Sequence, residues 1–138
     1  MVATRRISIR TRGHCDIIDL TRQVAAEVES SGIKDGVVTL FVPGSTAAIS
    51  TIENESGLLQ DFKAMWDRNV PTDIPYAHDR AWGEGNGYSH VRASLLGASL
   101  TIPVVNRRMT LGTWQQIVLV DFDNRPRSRE VVLQIMGE

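Results

Sequence analysis

The sequence predicts an α+β fold with largely antiparallel sheets, and three observations carry that expectation. The last third of the chain holds three strand-like runs in succession, without the intervening helices a parallel sheet requires. Within them, Ile117-Val118-Leu119-Val120 is apolar on both faces, as suits a central strand covered on both sides. Two earlier segments instead repeat their apolar residues at the three- and four-residue spacing of amphipathic helices.

The elements follow in order. RRISIRTR (5–12) sets Ile7 and Ile9 on one face with cations between them, the period-two pattern of a half-buried strand. From Asp19, an N-cap residue, Leu20, Val24 and Val28 mark a helix that Gly32 closes. GVVTLFV (36–42) and AAISTIE (47–53) read as two strands meeting near a turn at Pro43-Gly44-Ser45. Ser56 is placed to cap a second helix, whose stripe Leu58, Leu59, Phe62, Met65 and Trp66 is expected in the core, with Pro71 ending it. SHVRASLLG (89–97) predicts a short helix ending at Gly97. SLTIPVV, LGTWQQIVLVDF and REVVLQIM are the closing strands, joined at Asn106-Arg107-Arg108 and Asn124-Arg125-Pro126. Arg107 resists positive φ, so either the first turn departs from the usual hairpin type or Asn106 takes that role.

At 138 residues and 42% apolar, the chain suits one compact domain, 1–138. A formal net charge of −1 provides no field for holding nucleic acid. No stretch is long and apolar enough for a membrane helix, and MVATRRISIR lacks the apolar core of a signal peptide, which points to the cytoplasm. The single cysteine, Cys15, reads as a packing residue.

The densest chemistry lies in HDRAWGEGNGYSH (78–90), where His78 and His90 offer imidazoles, Glu84 a carboxylate and Asn86 an amide. Glycines between them allow a tight backbone, and a helix start just beyond suits a phosphate. The same loop also reads as a plain turn. Histidine and carboxylate ligands suit zinc or another divalent ion, although the spacing is not that of a metalloprotease helix. In RPRSR, alternation aims Arg127 and Arg129 to one side, where they either grip a phosphate or bridge subunits. Glu53 either meets a ligand or sits in solvent. Trp114 is expected to pack, and Gln115 is open to reading the edge of a ligand.

The segments PGSTAAISTIEN, HDRAWGEGNGYSHVRASLLGASLTIPVVN and LGTWQQIVLVDFDNRPRSR, with their spacing, resemble the YjbQ-like family. The resemblance implies a three-layer α/β/β fold and a homotrimer. It also implies a secondary thiamine-phosphate synthase, a transferase that couples an aminopyrimidine diphosphate to a thiazole phosphate and releases diphosphate. On that reading His78, Glu84 and His90 are catalytic and hold a divalent ion, Mg²⁺ or Zn²⁺. Glu53, Asn86, Gln115, Arg127 and Arg129 bind the phosphorylated substrate. The family pattern commonly has a histidine where this chain has Tyr88, whose phenol would then replace an imidazole. It also has a His-Thr-Thr segment near Gly44-Ser45-Thr46. Two rival expectations are a metal-dependent hydrolase of a phosphorylated or ester substrate, and a non-catalytic trimer that binds a small ligand.

Overall fold

The computed structural model describes residues 1–138. Twelve elements run in order: β1 (Val2–Thr11), β2 (Asp16–Asp19), α1 (Thr21–Ser30), β3 (Gly36–Phe41), β4 (Ala47–Ile52), α2 (Ser56–Asn69), α3 (Ala77–Trp82), α4 (Gly87–Leu96), β5 (Ser99–Val105), β6 (Arg108–Met109), β7 (Gln116–Asp121) and β8 (Arg127–Gly137). They form a five-stranded sheet, β1-β8-β3-β5-β6, and a three-stranded sheet, β2-β7-β4. Every pairing is antiparallel, as expected of an α+β chain without crossover helices.

Alternation along the strands builds the layers. Val38, Leu40, Val131, Leu133 and Ile135 of the large sheet meet Ile49, Ile117 and Leu119 of the small one in one core, which α1 flanks with Val24 and Val28. The opposite face of β7, Val118 and Val120, packs with Ala48 and Phe122 against Trp66, Tyr88 and Ala93 from α2 and α4. The three layers are therefore large sheet, small sheet and helices, and β7 is covered on both sides as its sequence requires.

Three local expectations change. β3 and β4 do not pair with each other, nor do β7 and β8; each short connector carries the chain from one sheet to the other. The β1–β2 turn does the same. The α2 stripe is only half-buried apart from Trp66, because the helix lies on the outside of the small sheet; its cap is the Glu55 carboxylate, which accepts from the Gly57 and Leu58 N–H groups. At the β5–β6 turn both Asn106 (φ 54°) and Arg107 (φ 66°) are left-handed, the type I′ geometry that matches strand twist. Lys34 O accepts from the Arg107 N–H at 2.8 Å and Asp35 Oδ1 from the Asn106 N–H at 2.9 Å, holding the strained turn in place.

Candidate functional site

Three of the four direct passages between sheets, 12–15, 42–46 and 122–126, meet at one end of the sandwich, while the fourth, 110–115 from β6 to β7, lies at the other. On the inner face of β7, Asp121 and then Asp123 continue the row that Ile117 and Leu119 begin. On the inner face of β8, Arg127 and Arg129 precede Val131 and Leu133. Each sheet therefore ends its apolar row in charges, and the two rows face each other.

Asp121 and Asp123 are fully buried. Asp121 Oδ2 accepts from Arg129 Nε (2.8 Å) and from the Thr11 hydroxyl (2.6 Å), while its Oδ1 accepts from Arg129 Nη2 at 3.0 Å. Asp123 Oδ2 accepts from Arg127 Nε (2.8 Å) and the Thr46 hydroxyl (3.0 Å); its Oδ1 accepts from the Asn124 N–H (2.8 Å) and Asn86 Nδ2 (3.3 Å). Burial by itself pushes the Asp123 carboxyl up, but these hydrogen bonds from Asn124, Arg127, Asn86 and Thr46 outweigh it and hold the pKa below the ordinary value. Buried charges that are paired and saturated in this way fix the geometry around them.

Over this base lies an open cavity of about 470 Å³, lined by Gly44, Ser45, Thr46, His78, Trp82, Glu84, Asn86, His90, Arg127 and Arg129. His78 comes from α3 and His90 from α4, and their rings approach to 4.3 Å between centroids at 41°. Burial, and then the neighbouring His78, push the His90 pKa below its ordinary 6.5. Asn86 is the N-cap residue of α4, and its amide joins Asp123 to Glu84. Gly44 is required here: its φ is 129°, and a Cβ would stand 3.0 Å from Arg129 Nη1.

Of the residues singled out in the sequence, His78, Glu84, Asn86, His90, Arg127 and Arg129 converge on this cavity. Glu53 and Gln115 do not. Glu53 lines a separate cavity of about 460 Å³ at the far end of the small sheet, with Asp19, Arg22, Asn54, Trp114 and Gln116. Gln115 is spent on the Gly112 N–H and the Thr51 hydroxyl. Trp114 does not pack in the core but is 72% exposed. Tyr88 turns the other way, into the helix layer, with its ring 5.2 Å from the Arg92 guanidinium, so it does not replace an imidazole in the cavity. The helix-start N–H of Gly87 is already taken by Asp79 Oδ1 at 2.8 Å. Asp121, Asp123 and Thr46 were not singled out from the sequence. The available signal was period two: acidic residues continuing the inward face of an apolar strand.

The expected metal set is corrected. No group of three or more His, Cys, Asp or Glu side chains is arranged to hold a metal ion. The two imidazoles lie ring against ring, and Glu84 Oε2 is turned to Asn86 Nδ2 at 3.5 Å. A His-bound ion that activates water, the basis of the hydrolase expectation, therefore has no ligand set here.

Fold and site together define a class: an antiparallel two-sheet sandwich with a helical layer and an imidazole–arginine cavity where the sheets exchange strands. Residues 5–138 match the family described as UPF0047 protein YjbQ-like, and the chain belongs to that family. A UPF0047 protein of Methanothermobacter thermautotrophicus is 42% identical over 137 residues, covering 99% of this chain and 94% of the relative. The UPF0047 protein YugU of Bacillus subtilis is 36% identical, with 96% and 98% covered. The crystal structure of a YbjQ-like protein of unknown function from Sulfolobus solfataricus superposes with a TM-score of 0.95 at 34% identity, covering 100% of this chain and 99% of that one.

These relatives also correct the expected reaction. They are named only as UPF0047 or YbjQ-like proteins, the Sulfolobus one as of unknown function, and none of these names gives a thiamine-phosphate synthase activity. Transferase chemistry and a place in thiamine biosynthesis therefore have no support from the family. No helix is long and apolar enough to cross a membrane.

Proposed function

We propose that this chain is an enzyme that binds a small phosphorylated molecule through Arg127 and Arg129 and moves a proton on it with the His78–His90 pair. The observation that carries the reading is the 4.3 Å approach of two imidazoles in a cavity that two carboxylate-braced arginines also line. Two imidazolium charges this close would repel, so the pair disfavours double protonation. Burial and the neighbouring His78 hold the His90 pKa below its ordinary value, so its ring is neutral near neutral pH and free to accept a proton. Arg127 gives Nε to Asp123, which leaves its Nη groups for phosphate oxygens; the buried carboxylate holds the fork in position before any ligand arrives.

The test is an NMR titration of the histidine resonances with inorganic phosphate, followed by turnover assays on a panel of phosphomonoesters. Phosphate is expected to shift both His78 and His90, and Arg127→Ala to weaken binding. His90→Ala is expected to keep phosphate binding and to lower turnover about 100-fold or more, the usual contribution of a general base. Histidine resonances that ignore phosphate would overturn the reading.

The proposal extends to assembly and location. The outer face of the five-stranded sheet leaves Val2, Phe41, Val105 and Met136 exposed, which supports self-association, here as the homotrimer the family resemblance implies. Sedimentation equilibrium at three chain masses is the expected result. Cys15, buried and unpaired, suits the reducing cytoplasm.

A further inference from the structure

The cavity wall holds hydrogen-bond acceptors as well as donors, and acceptors serve an anion site only if the ligand has a hydrogen to give. Asn86 is 2% exposed. Its Nδ2 donates to Asp123 Oδ1 at 3.3 Å and to Glu84 Oε2 at 3.5 Å. Both partners are carboxylates, and this fixes the amide: turned over, it would set its carbonyl oxygen against theirs and lose both bonds. Asn86 Oδ1 is thus directed away from them, and it is buried without any hydrogen-bond partner. A buried carbonyl in that condition is costly and is relieved only by a donor. Glu84 lines the same cavity and adds a second acceptor.

Resting on the phosphate reading above, we infer that the site selects by the proton on its ligand. Arginine N–H groups take the ionised oxygens of a phosphoryl group, while Asn86 Oδ1 and Glu84 accept from its P–OH. Sulfate has nearly the same size and shape but keeps no proton near neutral pH, so an acceptor of the ligand would face an acceptor of the protein. A carboxylate ligand, fully ionised at the same pH, meets the same opposition. Glu84 and Asn86 are on this view specificity residues, and the arginines supply affinity without discrimination.

The experiment is calorimetric titration of the full chain with inorganic phosphate and with sulfate, at one ionic strength and near neutral pH, where both phosphate species retain a hydroxyl. Phosphate is expected to bind about tenfold or more tighter than sulfate, the scale set by leaving one buried acceptor unmatched. Glu84→Gln, at an exposed position that folding tolerates, offers an amide N–H to a sulfate oxygen and is expected to narrow the gap by raising sulfate affinity. Equal binding of the two anions by the parent chain overturns this inference alone. A phosphate preference that persists undiminished in Glu84→Gln overturns the assignment to Glu84. Binding of neither anion overturns the inference together with the reading beneath it.

Discussion

The two ends of β7 carry similar residue types and differ in whether their charges are buried. At the end where β7 leads into β8, Asp121 and Asp123 are fully buried, and threonine, asparagine and arginine partners saturate them. At the other end, Glu53, Trp114 and Gln116 line a cavity of nearly the same volume, yet Glu53 is exposed and Trp114 is 72% exposed. Carboxylates removed from water must be paired, and pairing fixes the side chains that do it. Carboxylates left in water fix nothing. Cavity size therefore does not separate the two ends; burial of the charges beneath the cavity does.

The sharpest way to break this contrast is a matched pair of neutralisations. Asp123→Asn strands Arg127 and is expected to cost about 3 kcal/mol or more by denaturant unfolding, whereas Glu53→Gln is expected to stay within about 0.5 kcal/mol. A second pair uses glycines. Gly13 has φ 78°, and a Cβ there would stand 2.6 Å from Arg125 O and 2.7 Å from Asp123 O, both backbone atoms of the β7–β8 passage. Gly13→Ala is expected to cost about 2 kcal/mol and to weaken phosphate binding, by displacing the segment that leads into Arg127. Gly112→Ala at the opposite end, where the nearest heavy atom is 3.6 Å away, is expected to be close to neutral in both measurements.

Acidification gives a smaller effect confined to the buried end. The folded pKa of His90 lies below its unfolded 6.5, so between those values the unfolded chain binds more protons and stability falls as pH falls. Asp123 acts lower on the scale: its folded pKa lies below 3.8, so its contribution is present above that value and is lost as pH drops through the folded one. Thermal melts from neutral pH down to about 5 are expected to show the first decline in the parent chain and a weaker one in His90→Asn. The smallest effect belongs to Trp114→Ala, expected within about 0.5 kcal/mol because the indole is already in water.

Most strands and helices were legible because period two and period 3.6 are local, whereas β2, α3 and β6 are too short to show a period and were not. Ile117 to Val120 announced a central strand, and Leu20, Val24 and Val28 a helix, from spacing alone. The approach of His78 and His90 was legible only as a pattern of residue types, since a glycine-rich segment of this length can equally hold its ends far apart; it is the packing of α3 against α4 that brings the rings together. The strand partners were not legible. Pro43-Gly44-Ser45 and Asn124-Arg125-Pro126 look like hairpin turns, but whether a short connector returns along its own sheet or passes to another depends on which faces must be buried, and that is a tertiary matter. The buried carboxylates were hidden for the same reason. Asp121 looks like the polar end of a strand until the second sheet is set over it. Glu53 and Gln115 carried the right chemistry at the wrong end of β7, a distinction that motif spacing does not encode.

The position of β8 sets when the site can exist at all. This strand, which supplies both arginines, is inserted between β1 and β3, and its pairing with β1 joins residues as far apart as Val2 and Met136. Most of the sequence must be synthesised before the middle of the large sheet can close, and with it the ion pairs that join β8 to the carboxylates of the small sheet. A chain without 127–137 would leave Asp121 and Asp123 without their guanidinium partners and the large sheet divided between β1 and β3.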